Sequence, residues 1–276
     1  MNLFRIAGAT TIGSSHIKNG KPCQDKIYSK KYKHVAAIAL ADGAGSCSQS
    51  DLGAEICTRH IVDFLCNNFD KTYLLNEQEI SEKINKSIKK PLEKMSVELN
   101  VSSKELSSTL LFVAVKGNKF IAGHIGDGLI GKFDESGSQI LSLPENGEYA
   151  NETYFITMPE ADKYLRIYKD NLNSTLGFIL MSDGSYESLF DTQKNILASA
   201  NLTFFSWLID KQNTIESLNK SIEDNLASKF TKQTTDDCSV ILLSTKHIEG
   251  WLDKVLKITH LDNAEEWWEK LKNYLR

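Results

Sequence analysis

The sequence predicts an α+β fold built from antiparallel sheets with segregated helices. Three observations predict it. Strand-like and helix-like segments come in blocks rather than in alternation. Tight-turn signals separate many of the strands, and the strongest strands are continuous apolar runs. The 276-residue chain is 41% hydrophobic, which suits one large domain or two small ones. With only 4 prolines and 16 glycines, long disordered linkers are not expected.

In chain order, "LFRIAGA" reads as a strand and "TTIGSSHIKNGKPCQD" as a polar loop. A short strand is expected at Ile27–Ser29, then a buried one, "HVAAIALA". "SDLGAEICTRHIVDFLCNNF" is helical, because Ala54, Cys57, Ile61, Phe64 and Leu65 recur at spacings of three and four. Ser50 or Asp51 is its expected cap. A second helix is expected over Glu77–Leu99, kinked or divided by Pro91. The stretch from Ser108 to Leu141 reads as three or four strands joined by turns at Gly117-Asn118, Asp127-Gly128 and Ser136-Gly137. "TYFITM" is a further strand, "GFILMSDGS" an apolar run ending in a second Asp-Gly, Leu189–Phe230 is helical, and "DDCSVILLST" is the last core strand. The tail, Ile248–Arg276, reads as helical, with Trp251, Trp267, Trp268 and Leu271 as packing anchors.

A net charge of −4 gives no global attraction to nucleic acid or anionic lipid. No run of 18 apolar residues is present, and the N-terminus does not read as a secretory signal. The five cysteines, Cys23, Cys47, Cys57, Cys66 and Cys238, form no CxxC pair and suit reduced thiols in a cytoplasm. Cys57 and Cys66 fall on an apolar helix face, and nothing marks Cys23 or Cys47 as an activated nucleophile.

The informative residues are carboxylates at strand ends. Asp42 ends "HVAAIALA" and is followed by "GAGS"; Asp127 follows "KFIAGHIG"; Asp183 ends "GFILMS"; Asp236 and Asp237 precede "CSVILL". An Asp-Gly pair taken alone reads more readily as a turn than as a site. Four such ends beside the best core strands form a pattern that turns explain poorly. Clustered bare carboxylates repel one another, and a divalent cation removes that penalty. An all-oxygen set without a Cys-His group points to magnesium or manganese rather than zinc.

The ordered fragments "CQD", "ADGAGS", "SSTLL", "GHIGDG", "MSDG" and "TTDDCSVILL" resemble the type 2C metal-dependent serine/threonine protein phosphatases, the PPM family. "SSHIKNGKPCQD" and "LPENGEYANETYFIT" are similar to its bacterial branch. The resemblance covers roughly Arg5 to Ser244. It implies a four-layer αββα sandwich, two central antiparallel sheets flanked by pairs of helices. This would be a domain over residues 1–246, with 247–276 as a helical extension packed on it.

The resemblance also implies hydrolysis of phosphoserine or phosphothreonine by a water between two manganese or magnesium ions. Asp42 resembles the ligand shared by both ions, Gly43 the residue lending a backbone carbonyl, and Asp183 and Asp236 ligands of the second ion. Asp127 resembles a ligand of a weaker third ion, and Asp25 the acid that holds metal-bound water. Asp237 then takes a structural second position, with direct ligation as its alternative.

The pattern departs from the family in two places. Where many relatives carry a phosphate-binding Arg, about five residues before the position of Asp25, this chain has Gly20. His16, Lys18 and Lys21 are the nearby candidates, although Lys lacks the forked guanidinium contact. Where many relatives have a His soon after the Asp-Gly pair, "DGAGSCSQS" has none, and His124 reads as a packed histidine. The charged segment "PEADKYLRIYKDN" lies where the family has a variable flap; it reads as a surface loop or a contact for substrate.

The expected partners are a phosphorylated protein and a cognate serine/threonine kinase, with no nucleic acid or membrane, and the default state is a monomer. Two rival readings remain: a phosphatase-like binding module without catalysis, and a small-molecule phosphomonoesterase on the same fold.

Overall fold

The structure, a computed structural model, describes residues 4–145 and 153–245. Its twelve strands form two five-stranded antiparallel sheets and one minor ribbon. The first sheet contains β1 (Arg5–Thr11), β6 (Leu129–Asp134), β7 (Gly137–Ser142), β9 (Gly177–Met181) and β12 (Cys238–Ser244), in the spatial order β1-β12-β9-β6-β7. The second is ordered β2-β3-β4-β5-β8, from β2 (Lys26–Tyr32), β3 (Val35–Ala41), β4 (Leu110–Lys116), β5 (Lys119–Ile125) and β8 (Arg166–Asn171). The ribbon pairs β10 (Phe190–Asp191) with β11 (Ile196–Leu197).

Helix α1 (Ser14–Lys18) is a single short turn region in the loop after β1. Helices α2 (Ser50–Tyr73) and α3 (Glu77–Leu99) cover the second sheet. Helix α4 (Asp183–Leu189) follows β9, and α5 (Ala200–Ile209) and α6 (Ile215–Ser228) cover the first sheet.

The strands alternate between two cores. Ala37, Ala39 and Ala41 of β3 pack toward the helices, while Ala36, Ile38 and Leu40 pack between the sheets. In β12, Val240 and Leu242 face α5 and α6, and Ile241 and Leu243 face the other sheet. Both faces are buried, so these antiparallel strands read as unbroken apolar runs. The small alanines of β3 let α2 lie close to the sheet. The expected four-layer sandwich is what the chain forms.

Several local expectations need correction. Ser50 and Asp51 do not cap α2; its N-cap is Gln49, without a side-chain cap bond. The Ser50 hydroxyl instead accepts the Gln24 side-chain amide at 2.6 Å, tying the helix start to the loop before β2. Helix α3 is not divided at Pro91. Its buried stripe, Ile80, Ile84, Ile88 and Leu92, runs past the proline, so packing outweighs the roughly 3 kcal/mol that an interior proline costs. Its start is fixed by a capping box between Asn76 and Glu79.

Asp127-Gly128 is no hairpin: it carries the chain from β5 in one sheet to β6 in the other. Gly126 takes φ 114° there, and a Cβ on Gly128 would sit 2.7 Å from the Met181 carbonyl oxygen. "TYFITM" is not a strand; only Thr153 makes an isolated bridge. The real strand lies further on, where a loop was expected. It is β8, an edge strand whose half-buried Arg166 and Lys169 hide its alternation. The short strand at 27–29 is longer, and the helical reading of 189–230 is broken by the ribbon. The tail with its tryptophans lies outside the described residues.

Candidate metal centre and phosphate cleft

One end of the sandwich collects the carboxylates. β3 delivers Asp42 and β5 delivers Asp127; β9 and β12, in the opposite sheet, bring Asp183 and Asp236 to the same end. A cleft of about 370 Å³ opens there. Its walls include Asp42, Gly43, Asp127, Asp183 and Asp236, with Ser15, His16, Lys21, Thr109, Thr153 and Phe155 around them.

Asp42 is held by reciprocal backbone contacts. Its N–H donates to the Thr109 hydroxyl at 2.9 Å, and its carbonyl accepts the Thr109 N–H at 2.8 Å. Gly43 pairs with Ser108 and donates to the Gln24 carbonyl at 3.2 Å. A Cβ on Gly43 would sit 2.8 Å from the Ser50 backbone, so the loop lies flush against the start of α2. Gly45 is different: the nearest atom to its Cβ position is 3.9 Å away.

Asp183 stands at the start of α4 and accepts the Gly184 N–H at 2.6 Å. Asp127 accepts the Thr153 hydroxyl. Asp236 is exposed at the cleft edge, just before β12. Asp25 is 1% exposed, and neither of its oxygens has a hydrogen-bond partner at bonding geometry.

The charges push one another toward protonation. Burial, with Asp25, Asp183, Asp127 and Asp236 nearby, drives the Asp42 carboxyl well above the usual range. Burial raises Asp183 to about 8, with Asp127, Asp25 and Asp236 adding to it. Burial raises Asp25 to about 7, with Asp237 and Asp236 adding and the nearby Ser239 and Ser182 hydroxyls offsetting part of the shift. Burial also raises Asp127, partly offset by the Thr153 bond.

Such a basin fits a hard divalent cation. Its donors are oxygens, and the buried Asp25 carboxylate has no well-aligned hydrogen bond, only the nearby Ser239 and Ser182 hydroxyls to offset part of its charge.

Asp237 does different work. It is 1% exposed and accepts the backbone N–H groups of Gly13 at 2.7 Å and Gln24 at 2.6 Å. It therefore clamps the loop after β1 and the loop before β2 onto the start of β12. His16 Nδ1 lies 2.9 Å from its Oδ2. Among the described residues, His16, Asp236 and Asp237 form one trio whose metal-capable atoms lie within 4.8 Å of one another.

Of the candidate phosphate-binding groups, His16 and Lys21 line the cleft, and Lys18 does not. Lys21 Nζ donates to the Gly45 carbonyl at 2.8 Å. His124 is fully buried and lies off the cleft wall. Its Nδ1 contacts Ser142 Oγ at 2.8 Å and Arg166 Nη2 at 3.0 Å, and burial beside Arg166 holds its pKa well below the usual value. It is a packed histidine, as expected.

Sequence reasoning missed Thr109, Thr153 and Phe155 as wall residues. The sequence held a signal only for the first, because "SSTLL" opens a core strand beside Asp42.

The chain matches the family model described as "Protein phosphatase 2C" over residues 12–227. It belongs to that family of protein serine/threonine phosphatases. The serine/threonine-protein phosphatase 3 of Escherichia coli (strain K12) is 23% identical over 251 residues, spanning 87% of this chain and 98% of that protein. A solved bacterial serine phosphatase superposes with a TM-score of 0.59 at 13% identity, covering 90% of this chain and all (100%) of the other. The S. agalactiae serine/threonine phosphatase gives 0.58 at 19%, covering 88% and 100%. The serine/threonine phosphatase Stp1 from Staphylococcus aureus gives 0.59 at 14%, covering 89% and 96%. At these identities the structures establish the shared fold.

Proposed function

We propose that this chain hydrolyses phosphoserine and phosphothreonine in protein substrates, using Mn²⁺ or Mg²⁺ held by the carboxylate basin. The observation that carries the reading is the convergence of four strand-end carboxylates from both sheets on one cleft, with a buried and unpartnered Asp25 beside them. Asp42, the Gly43 carbonyl, Asp183 and Asp236 would hold two ions, and Asp127 a weaker third. Bound there, the ions lower the pKa of water and neutralise charge on the phosphoryl group.

The chain's own groups do the rest. Asp25, buried and without a well-aligned hydrogen bond, would orient water and accept its proton. Thr109 and Ser108 hold the Asp42 loop rigid through their backbone and hydroxyl bonds. No Cys is needed as a nucleophile: burial, with Asp25 and Asp237 nearby, raises the Cys23 thiol far above its usual value and leaves it inert. All five cysteines are free, which supports action in a reducing cytoplasm, and the substrate would be the product of a serine/threonine kinase.

The test is hydrolysis of a phosphothreonine peptide with Mn²⁺, with Mg²⁺ and with chelator, beside Asp42→Asn and Asp183→Asn. The expected result is metal-dependent turnover that falls roughly a thousandfold or more in both variants. Phosphopeptides should also be better substrates than sugar phosphates. A folded wild type that is silent with every metal would leave the binding-module reading in its place.

A further inference from the structure

We propose that His16, backed by Asp237, is the donor that seats a phosphate oxygen in the cleft, where no arginine stands. This rests on the phosphatase reading above. Among the described residues lining the cleft, the only side chains able to carry positive charge are His16 and Lys21. A substrate dianion entering among carboxylates needs such a group. The Lys21 ammonium is already engaged by the Gly45 carbonyl, and its side chain is exposed.

His16 is placed differently. It is 9% exposed, on α1, with one face on the cleft. Its Nδ1 lies 2.9 Å from Asp237 Oδ2, an ion-pair distance without the alignment of a hydrogen bond. The carboxylate cannot swing away, because the Gly13 and Gln24 amides fix both of its oxygens. Gly13 is itself locked in place: a Cβ there would meet the Asp236 carbonyl carbon at 2.3 Å. With Nδ1 turned to Asp237, Nε2–H on the other side of the ring has no hydrogen-bond partner among the described residues. That is the donor available to phosphate. Asp237 is thus a positioning residue, and His16 touches the substrate.

The same trio could instead ligate a metal ion through His16, and the experiment separates the two roles. Inorganic phosphate is titrated calorimetrically into the Mn²⁺-loaded protein, and Mn²⁺ into the metal-free protein, for wild type, His16→Ala and His16→Gln. Losing a charge-assisted hydrogen bond should weaken phosphate binding by roughly ten- to a hundredfold in His16→Ala. Gln, a neutral donor, should lose less. Mn²⁺ affinity should stay within about twofold in both. Unchanged phosphate affinity overturns the proposal, and so does Mn²⁺ affinity that falls together with it.

Asp237→Asn, checked by its melting curve, adds the coupling. His16→Ala should cost less in that background than in wild type, whereas full additivity removes Asp237 from the role. Phosphate binding is read without turnover. If the peptide assay fails while these titrations succeed, the phosphatase reading alone is lost.

Discussion

Asp25 gives the sharpest test of the basin. Replacing it with Asn removes a buried charge and leaves nearly the same shape. In the metal-free protein its carboxyl is raised from 3.8 to about 7, mainly by burial. The folded state therefore binds the proton more tightly than the unfolded chain does. That contribution to stability is fully present below about pH 4 and is lost as pH rises through about 7. By pH 8 the ionised group costs roughly 4 kcal/mol, at 1.36 kcal/mol per pH unit across the shift, and at pH 5 about 2 kcal/mol or less. Solvent relaxation reduces both figures, so a gain of about 2–4 kcal/mol is expected for Asp25→Asn at pH 8. For a chain of this size that is a rise in Tm of roughly 5–10 °C, and only a few degrees at pH 5. The assay is thermal unfolding with chelator and with saturating Mn²⁺ at both pH values. Asp25→Asn should raise the metal-free Tm at pH 8, shrink the rise that Mn²⁺ produces, and lower peptide turnover. A lower metal-free Tm at pH 8, or a Mn²⁺ shift equal to wild type, would refute the account of a cluster held together by its cation.

Three further substitutions test the scaffold. Gly43→Ala places a methyl 2.8 Å from the Ser50 backbone and should cost about 1–3 kcal/mol in chemical denaturation while weakening Mn²⁺ binding. Gly45→Ala, with open space around it, should leave stability within about 0.5 kcal/mol. Phe205→Ala deletes a fully buried ring stacked 4.1 Å from Phe133 under the first sheet. It should cost about 3–5 kcal/mol and yet leave the turnover of the remaining folded protein unchanged.

The sequence alone determined the layer pattern and the identity of the acidic positions. Runs such as "HVAAIALA" and "CSVILLS" have no polar face, so they had to be buried on both sides, and an Asp at the end of such a run had to emerge at an edge. That logic is local, because strand period and apolar continuity are written residue by residue. It was enough to single out Asp42, Asp127, Asp183 and the adjacent pair Asp236 and Asp237; the preference for Asp236 came from the resemblance.

Only the tertiary structure decided how those edges meet. Asp127-Gly128 looks like any hairpin turn in sequence, but the chain changes sheets there, which places Asp127 opposite Asp183 and Asp236. β8 stayed hidden because an edge strand tolerates Arg166 and Lys169, whose stems lie along the sheet. Pro91 did not break α3, since packing against the second sheet outweighs local propensity. The division of labour between Asp236 and Asp237 also needed the fold. In the turn just before β12, Asp236 stays exposed at the cleft edge, while Asp237 is buried and accepts the Gly13 and Gln24 amides beside His16. Contacts across more than 200 residues of chain carry no local signature, and they are what turned a set of strand-end acids into a site.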